Sequence, residues 1–222
     1  MRIESVTTDH YCIPLPVALS DSTHGIMTHT GLIVVRIRDS DGAVGVGYTY
    51  TVNDIGSRAI RALIEDDLQQ VLIDADPRGI DKLWGDMWWH AHFCGRGGLL
   101  SFAMAAVDIA LWDLAGKRAG EPLWRLLGGH RNEVIAYAGG IDLEFTLDAL
   151  LEQADGFLER GFRAIKMKVG RDRLTEDVNR AEAMRAKLGG GFPLMADANM
   201  RWSVHEAVSA ARALAPVGLV WL

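Results

Sequence analysis

The chain has 222 residues, enough for one large domain or two ordinary ones, and 49% of them are hydrophobic, which suits a packed core. A net charge of −6 without any Lys/Arg run gives no electrostatic basis for nucleic-acid binding. Cys12 and Cys94 lie far apart, so neither a disulfide framework nor a structural zinc site is expected. The N-terminus lacks a signal-peptide pattern, and the longest apolar stretch carries Asp108 and Asp113 and is short for a membrane span. We therefore expect a soluble cytoplasmic protein that binds no membrane.

The first 130 residues run from strands to helices, which predicts an α+β module. Residues 2–13 have a strand pattern, whereas the polar segment 20–30 is expected to be a flexible loop. A hairpin is predicted around the turn-rich tetrapeptide 39–42. The third predicted helix is apolar nearly all round, which indicates a buried helix. The hairpin strands are 32–38 and 43–50, and the helices are 53–72, 78–92 and 98–118.

After about residue 130 the pattern changes to strands and helices that alternate at the spacing of right-handed parallel βαβ units. Thr146 begins the first helix of this region, and Gly161 ends it. Ser203 and Glu206 have the spacing of a capping box at the start of the third helix. The predicted strands are 134–138, 163–169, 193–198 and 218–222, and the helices begin near 146, 175 and 203.

The last predicted strand, 218–222, is apolar and is followed by neither a polar tail nor a helix. Parallel strands are normally covered on both faces, and an apolar free edge invites aggregation. We therefore expect the chain to be incomplete, with the α/β region interrupted after its fourth strand.

Lys166 and Lys168 lie two residues apart in the predicted strand 163–169. Alternate side chains of a strand share a face, so the two ammonium groups point the same way and the apolar residues between them point to the covering helices. In an isolated strand such a pair more often marks a solvated surface. In a parallel strand between βα units that face is usually interior. There, repulsion and desolvation would lower the lysine pKa values toward that of a base working at neutral pH.

The next predicted strand ends in a second polar pair, Asp197 and Asn199. Barrel enzymes place their active-site groups at the carboxyl ends of strands, and Asp197 lies near such an end. A lone carboxylate there caps the following helix as often as it serves a site. Because the carboxyl ends of adjacent parallel strands meet at one edge of the sheet, the two polar pairs together favour a shared site.

These motifs resemble the mandelate racemase branch of the enolase superfamily. The resemblance rests on KMKVG at 166–170, DAN at 197–199, VWL at 220–222 and the stretch SFAMAAVDIALWDLAGKRAGEPLWRLLGG at 101–129. The last is similar to the family's capping-domain helix and the approach to its barrel, and the resemblance spans the whole chain. The resemblance implies an α+β capping (substrate-lid) domain, 1–130, followed by an incomplete (β/α) TIM-type barrel, 131–222, truncated after its fourth strand.

The resemblance implies that Lys168 is the general acid/base and that Lys166 is its electrostatic partner. Asp197 would be the first Mg²⁺ ligand, and Asn199 would lie beside the metal and bind the substrate. The family's second metal ligand is a glutamate directly after the strand that corresponds to 220–222, and its remaining catalytic groups lie on later strands. The 222-residue chain alone is therefore expected to bind magnesium weakly and to be inactive.

The implied chemistry is abstraction of the proton α to a carboxylate of a small-molecule substrate. We expect dehydration of an acid sugar, an aldonate or an aldarate. Racemisation or epimerisation of a 2-hydroxy acid is the alternative because it shares the first step, and cycloisomerisation ranks below both because the lid loop is polar. A non-catalytic fragment of such an enzyme also stays open. The family commonly forms homo-oligomers.

Three polar side chains correspond to family loops that cover the barrel and shape specificity. Ser22 and His24 belong to the segment 20–30, and Tyr48 belongs to the predicted hairpin. Each is a candidate substrate contact for a hydroxylated acid, and a solvated loop residue is an equally good interpretation of each.

Overall fold

The computed structural model describes residues 1–95 and 97–222, and these divide into two compact units. The first unit comprises residues 1–14 and 29–133, and the second comprises residues 15–28 and 134–222. Residues 15–28 thus pack with the C-terminal part of the chain although they lie near the start of the sequence.

An antiparallel sheet begins the chain, with its three strands in sequential order. Strands β2 (Gly25–Asp39) and β3 (Val44–Val52) pair from Thr30 opposite Val52 to Arg38 opposite Val44, which confirms the hairpin predicted around 39–42, with the turn lying at 40–43. The strands are β1 (Ile3–Asp21), β2 (Gly25–Asp39) and β3 (Val44–Val52).

The prediction of a flexible loop at 20–30 is wrong, because β1 continues to Asp21 and β2 begins at Gly25. The Asp21 carboxylate accepts hydrogen bonds from the N–H groups of Thr23 (2.9 Å) and His24 (2.7 Å). This side-chain turn reverses the chain within three residues, so the polar composition marks a tight hairpin turn and not a long loop.

Helices of the first unit occupy the three predicted positions. The first is a continuous helical run whose middle turn is π-helical, a local widening by one residue. The elements are α1 (Ser57–Ala62), the π segment Leu63–Leu68, α2 (Gln69–Leu72), α3 (Ile80–His90), a 3₁₀ turn (His92–Cys94), α4 (Leu99–Ala119) and α5 (Leu123–Leu126).

Helix α4 packs directly on β3, and its buried apolar residues form much of the first core. A Cβ at Gly45 or Gly47 would come within 2.0 Å of a carbonyl oxygen of α4, so only glycine allows the strand backbone this close. Asp113 accepts the N–H of Val46 at 2.7 Å, which ties the two elements together. By length and composition alone α4 is apolar enough to cross a membrane, and half of that stretch is buried within the protein.

Asp39 ends β2 with a completely buried carboxylate. It accepts hydrogen bonds from the guanidinium of Arg118 on α4 and from the N–H groups of Asp41 (3.0 Å) and Ala43 (3.1 Å). The bond from Arg118 outweighs the opposing effect of burial, so the pKa of the Asp39 carboxyl lies below its ordinary value.

We expect Asp39→Asn to lower the free energy of unfolding by about 1–3 kcal/mol at pH 7, the usual range for a hydrogen bond to a charged group. Folding lowers the pKa of the Asp39 carboxyl. The ionised carboxylate therefore stabilises the protein fully when the pH is above the pKa of the unfolded state, and this stabilisation is lost as the pH falls through the pKa of the folded state. The difference between the two proteins should therefore narrow below about pH 4. Urea titrations at pH 7 and at several values between about pH 2 and 4 measure this difference in the free energy of unfolding. Asp41→Asn, an exposed partner of the same arginine, is the control, and an equal loss there would contradict the assignment.

The second unit is an α/β arrangement, as predicted, around a parallel sheet of three strands in the order β4 (Ala138–Gly139), β5 (Ile165–Lys168) and β6 (Leu194–Asp197), where four strands were predicted. The Thr146 hydroxyl caps α6, and Ser203 and Glu206 form the capping box of α8. Gly161 follows α6 with a φ of 86°. The elements are β4 (Ala138–Gly139), α6 (Leu147–Glu159), β5 (Ile165–Lys168), α7 (Leu174–Leu188), β6 (Leu194–Asp197), α8 (Val204–Leu214) and a 3₁₀ turn (Ala215–Val217).

Two predicted strands differ from the structure. In 134–138 only the last residue lies in β4, and Val134 and Ile135 are almost fully exposed. The segment 218–222 lies beside β6 and exchanges two backbone hydrogen bonds with it, Val220 N–H to Leu194 and Ala196 N–H to the Trp221 carbonyl. Two bonds are too few to make it a regular strand, although its direction of pairing agrees with the prediction.

Candidate active site

The two lysines of β5 extend from the face opposite to the core of the second unit. Ile165 and Met167 are buried in that core against the helices, as the alternation of side chains predicts. Lys166 and Lys168 alternate with them, and their side chains are only 17% and 6% exposed. The interpretation of this pair as a solvated surface therefore does not hold.

Asp197 lies directly opposite Lys168 in the register of β5 and β6. Its Oδ2 atom accepts hydrogen bonds from Lys166 Nζ at 3.0 Å and from Lys168 Nζ at 2.8 Å. Its Oδ1 atom accepts the N–H of Asn199 at 2.9 Å. Burial would raise the pKa of the Asp197 carboxyl, but these hydrogen bonds outweigh it and hold the pKa well below its ordinary range. The shared carboxylate keeps two ammonium groups together that would otherwise repel each other.

Asn199 completes this group through its side chain, whose Oδ1 atom accepts a hydrogen bond from Lys168 Nζ. The backbone here is unusual: Asn199 has a φ of 47° and Met200 has a φ of 61°. Non-glycine residues rarely occupy the left-handed region, and two in succession require support from their surroundings. The structure thus brings Lys166, Lys168, Asp197 and Asn199 together at the carboxyl ends of β5 and β6.

The hairpin turn after β1 belongs to the same unit and contacts the same strand ends. The Ser22 hydroxyl donates to the carbonyl of Ala198, and the Thr23 hydroxyl donates to the carbonyl of Asn199. His24 is 44% exposed, and its Nδ1 lies 2.9 Å from the buried carboxylate of Asp21. Burial would raise the pKa of the Asp21 carboxyl, but the hydrogen bonds from His24 and Thr23 outweigh burial and lower the pKa.

Tyr48 belongs to the other unit, where it lies on β3 with 56% of its surface exposed. Its role as a substrate contact therefore stays a prediction. The same is true of Ser22 and His24, although both lie on the turn that contacts the carboxyl end of β6.

Sequence reasoning missed a buried polar group behind Lys168. Asp142 is 1% exposed, and its carboxylate accepts the backbone N–H of Lys168 at 2.9 Å and pairs with Arg180 at 3.6 Å. Burial raises the pKa of the Asp142 carboxyl, against the effect of these two partners. Asp177, also buried, accepts the N–H of Gly170 at 2.9 Å. The only local signal was a polar residue after the Gly-Gly pair 139–140, which is too common to interpret.

Two cavities open beside these residues. One, of about 520 Å³, lies between the turn at Ser22 and the loop at Gly170 and is lined mainly by polar and charged side chains. The other, of about 680 Å³, extends from Asp197 and Asn199 along the apolar face of α8. Of the four clustered side chains, Asp197 and Asn199 line the second cavity, and neither lysine lines either one.

The oxygen atoms of Asp197 and Asn199 are the kind of ligand that magnesium prefers. Their number is too small for a complete site, since no three His, Cys, Asp or Glu side chains lie close enough to hold a metal within 1–95 and 97–222. The described residues therefore fit a magnesium site in ligand type, and Asp197 as its first ligand stays a prediction.

An antiparallel α+β module followed by a parallel α/β unit, with charged groups at the carboxyl ends of its strands, is the element order of an enzyme class that joins such a module to a (β/α) barrel. Residues 3–128 match the family "Mandelate racemase / muconate lactonizing enzyme, N-terminal domain", and residues 149–222 match the family "Enolase C-terminal domain-like". The chain belongs to the mandelate racemase/muconate lactonizing enzyme family of the enolase superfamily. This confirms the predicted α+β capping domain followed by part of a (β/α) TIM-type barrel.

The similar proteins and crystal structures include the following three matches. The 3,6-anhydro-alpha-L-galactonate cycloisomerase of Streptomyces coelicolor is 58% identical over 99% of the chain and 61% of its own length. A racemase from Streptomyces coelicolor, crystallised with bound magnesium, is 58% identical with a TM-score of 0.97, over 99% of the chain and 61% of its own. The L-talarate dehydratase of Polaromonas sp. JS666, complexed with Mg and L-glucarate, is 35% identical with a TM-score of 0.90, over 99% and 60%. The chain thus spans about three fifths of the length of these proteins.

Proposed function

We propose that the protein carrying this chain removes the proton α to the carboxylate of an acid sugar, with magnesium as cofactor, and that Lys168 is the base. The observation that carries the proposal is the group formed by Lys166, Lys168 and Asp197 at register-paired strand ends. Two similar proteins contain magnesium in their crystal structures, which supports the choice of metal.

In this proposal each side chain of the group has a separate task. Lys168 Nζ accepts the proton from C2 of the substrate, and Lys166 is its electrostatic partner, bound to the same oxygen of Asp197. Asp197 is one magnesium ligand, and Asn199 holds the Lys168 side chain in place through Oδ1. Magnesium, when bound, supplies positive charge close to the substrate carboxylate, where negative charge develops.

The second step we propose is β-elimination at C3: a C2–C3 double bond forms, the C3–O bond breaks, and the departing oxygen takes up a proton. With an open-chain aldonate or aldarate, this oxygen leaves as water, which is dehydration. With a 3,6-anhydro acid, the oxygen stays attached to C6 as a hydroxyl group, so the product is an isomer. Both enols then take up a proton at C3 to give 2-keto-3-deoxy acids.

Dehydration is the reaction that the sequence analysis ranks first, and the relatives include dehydratases. The 58% identity to a cycloisomerase is much higher, so it favours cycloisomerisation, here the ring opening of an anhydro acid, over the order expected from the polar lid loop, which put cycloisomerisation below dehydration and racemisation. Racemisation remains the alternative without C–O cleavage. A homo-oligomer in the cytoplasm remains part of the proposal as the family's usual state.

The test uses the polypeptide expressed from the intact gene, with Mg²⁺ in D₂O, against aldonates, aldarates and a 3,6-anhydro-aldonate. NMR follows the proton at C2, and mass spectrometry follows the composition of the product. We expect a 2-keto-3-deoxy product. From the anhydro acid its mass equals that of the substrate, and from an aldonate or aldarate its mass is lower by one water molecule. A product that carries deuterium at C2 and keeps its C3–O bond would show that the reaction is racemisation and not elimination. Inertness toward every acid, in a folded protein, would overturn the proposal in favour of a non-catalytic protein.

A further inference from the structure

The loop after β6 holds a backbone conformation that its own residues do not favour. Asn199 and Met200 both have positive φ values, 47° and 61°. Asparagine tolerates this region, but methionine gains nothing in return for the steric strain, which costs of order 1–2 kcal/mol for such a residue. The conformation is nevertheless what brings the Asn199 amide oxygen to Lys168 Nζ and the Asn199 N–H to Asp197. Part of the support is local, since the N–H of Arg201 donates to the Ala198 carbonyl at 3.1 Å, and a contact from outside the loop adds to it.

The hairpin turn at 22–23 provides that contact. The Ser22 hydroxyl donates to the Ala198 carbonyl, and the Thr23 hydroxyl donates to the Asn199 carbonyl, so two consecutive carbonyl groups of the strained loop are bound by two consecutive side chains. The partners are 176 residues apart in the sequence. The Ala198 carbonyl thus accepts both the N–H of Arg201 and the Ser22 hydroxyl, and Thr23 binds the next carbonyl, so the turn at 22–23 fixes a backbone reversal that the loop itself closes.

The turn itself is held rigidly on the second unit. Asp21, 7% exposed, fixes its shape by accepting the N–H groups of Thr23 and His24. Ser20 anchors it to the 141–144 segment through its backbone and its hydroxyl, which accepts the N–H of Glu144 at 2.9 Å. Gly170 has a φ of 105°, and a Cβ there would lie 3.2 Å from Ser22 Cβ, so the glycine leaves room for the turn.

We propose that Ser22 and Thr23 are positioning residues, which clamp the 198–200 backbone so that Asn199 and Asp197 present their side chains to Lys168. The proposal changes the role of Ser22, since its hydroxyl is committed to a carbonyl of the protein and not to a substrate. Its catalytic consequence rests on the proposed function, but its structural consequence does not.

The structural test is hydrogen exchange of the backbone amides in 197–202, measured by mass spectrometry on the protein expressed from the intact gene. Thr23→Val keeps the shape of the side chain and removes the donor. We expect about five- to tenfold faster exchange in this segment, the factor for one lost hydrogen bond, and a larger factor for the double variant with Ser22→Ala. Thr23→Ser keeps the donor and should restore protection. Thr175→Val, at an exposed threonine of α7, is the matched control.

The catalytic test is steady-state kinetics of the same variants with the acid that the wild type turns over. A clamp predicts a kcat about five- to tenfold lower in Thr23→Val with KM nearly unchanged, and recovery in Thr23→Ser. A rise in KM alone would instead make these hydroxyls substrate contacts and overturn the proposal, as would unchanged exchange at 197–202. If the wild type turns over no acid, the proposed function fails while hydrogen exchange still decides the clamp.

Discussion

Replacing Lys168 by methionine is expected to abolish exchange of the substrate's α-proton. Methionine keeps most of the volume and flexibility of the buried stem, so the main change is loss of the amine. If Lys168 is the base, the rate of exchange in D₂O should fall by about 10²–10⁴, the usual contribution of a positioned general base. The measurement is NMR of the C2 proton with excess substrate and Mg²⁺, because exchange reports the first step whether or not elimination follows.

Two other lysine variants separate the base from its neighbour and from simple loss of charge. Lys166→Met removes the other partner of Asp197 and should reduce exchange less than Lys168→Met does, because Lys166 does not itself accept the proton in the proposed reaction. Lys187→Met removes a lysine of α7 that pairs with Asp155, and it should leave exchange unchanged. Normal exchange in a folded Lys168→Met protein would contradict the assignment of the base.

Replacing Asp197 by asparagine is expected to weaken magnesium binding by at least about a hundredfold and to remove turnover. The substitution keeps the shape of the side chain but removes the negative charge that a hard cation requires and that two lysines share. Titration calorimetry with Mg²⁺ measures the first effect without depending on any substrate. Because Lys166 and Lys168 lose their common partner, the variant's melting temperature has to be measured alongside.

The control for Asp197 is Asp172→Asn, a change of the same chemistry on the neighbouring loop. Asp172 is 93% exposed and pairs with Arg201, so its loss should alter neither magnesium affinity nor turnover. Equal magnesium affinity in wild type and in Asp197→Asn would remove Asp197 from the metal site. It would leave the carboxylate as a structural partner of the two lysines.

Much of the fold was predictable because its signals are local. The alternation of residues 163–169 placed the two lysines on one face, and the capping box at Ser203 placed the start of α8. The segment 20–30 was wrongly predicted to be a flexible loop because the prediction used only the local composition. Polar residues indicate that the chain leaves the core, but they do not show that the Asp21 side chain closes the reversal within three residues.

The sequence by itself determined the family, the α+β and α/β halves of the chain, and the polar pairs at 166–168 and 197–199, because periodicity and short motifs are properties of neighbouring residues. Only the tertiary structure decided how these pairs meet. It showed one Asp197 oxygen shared by two ammonium groups, the buried Asp142 behind Lys168, and the hydroxyl groups of Ser22 and Thr23 on a strained loop 176 residues away. Such contacts depend on strand register and on long-range packing, and no local pattern records either.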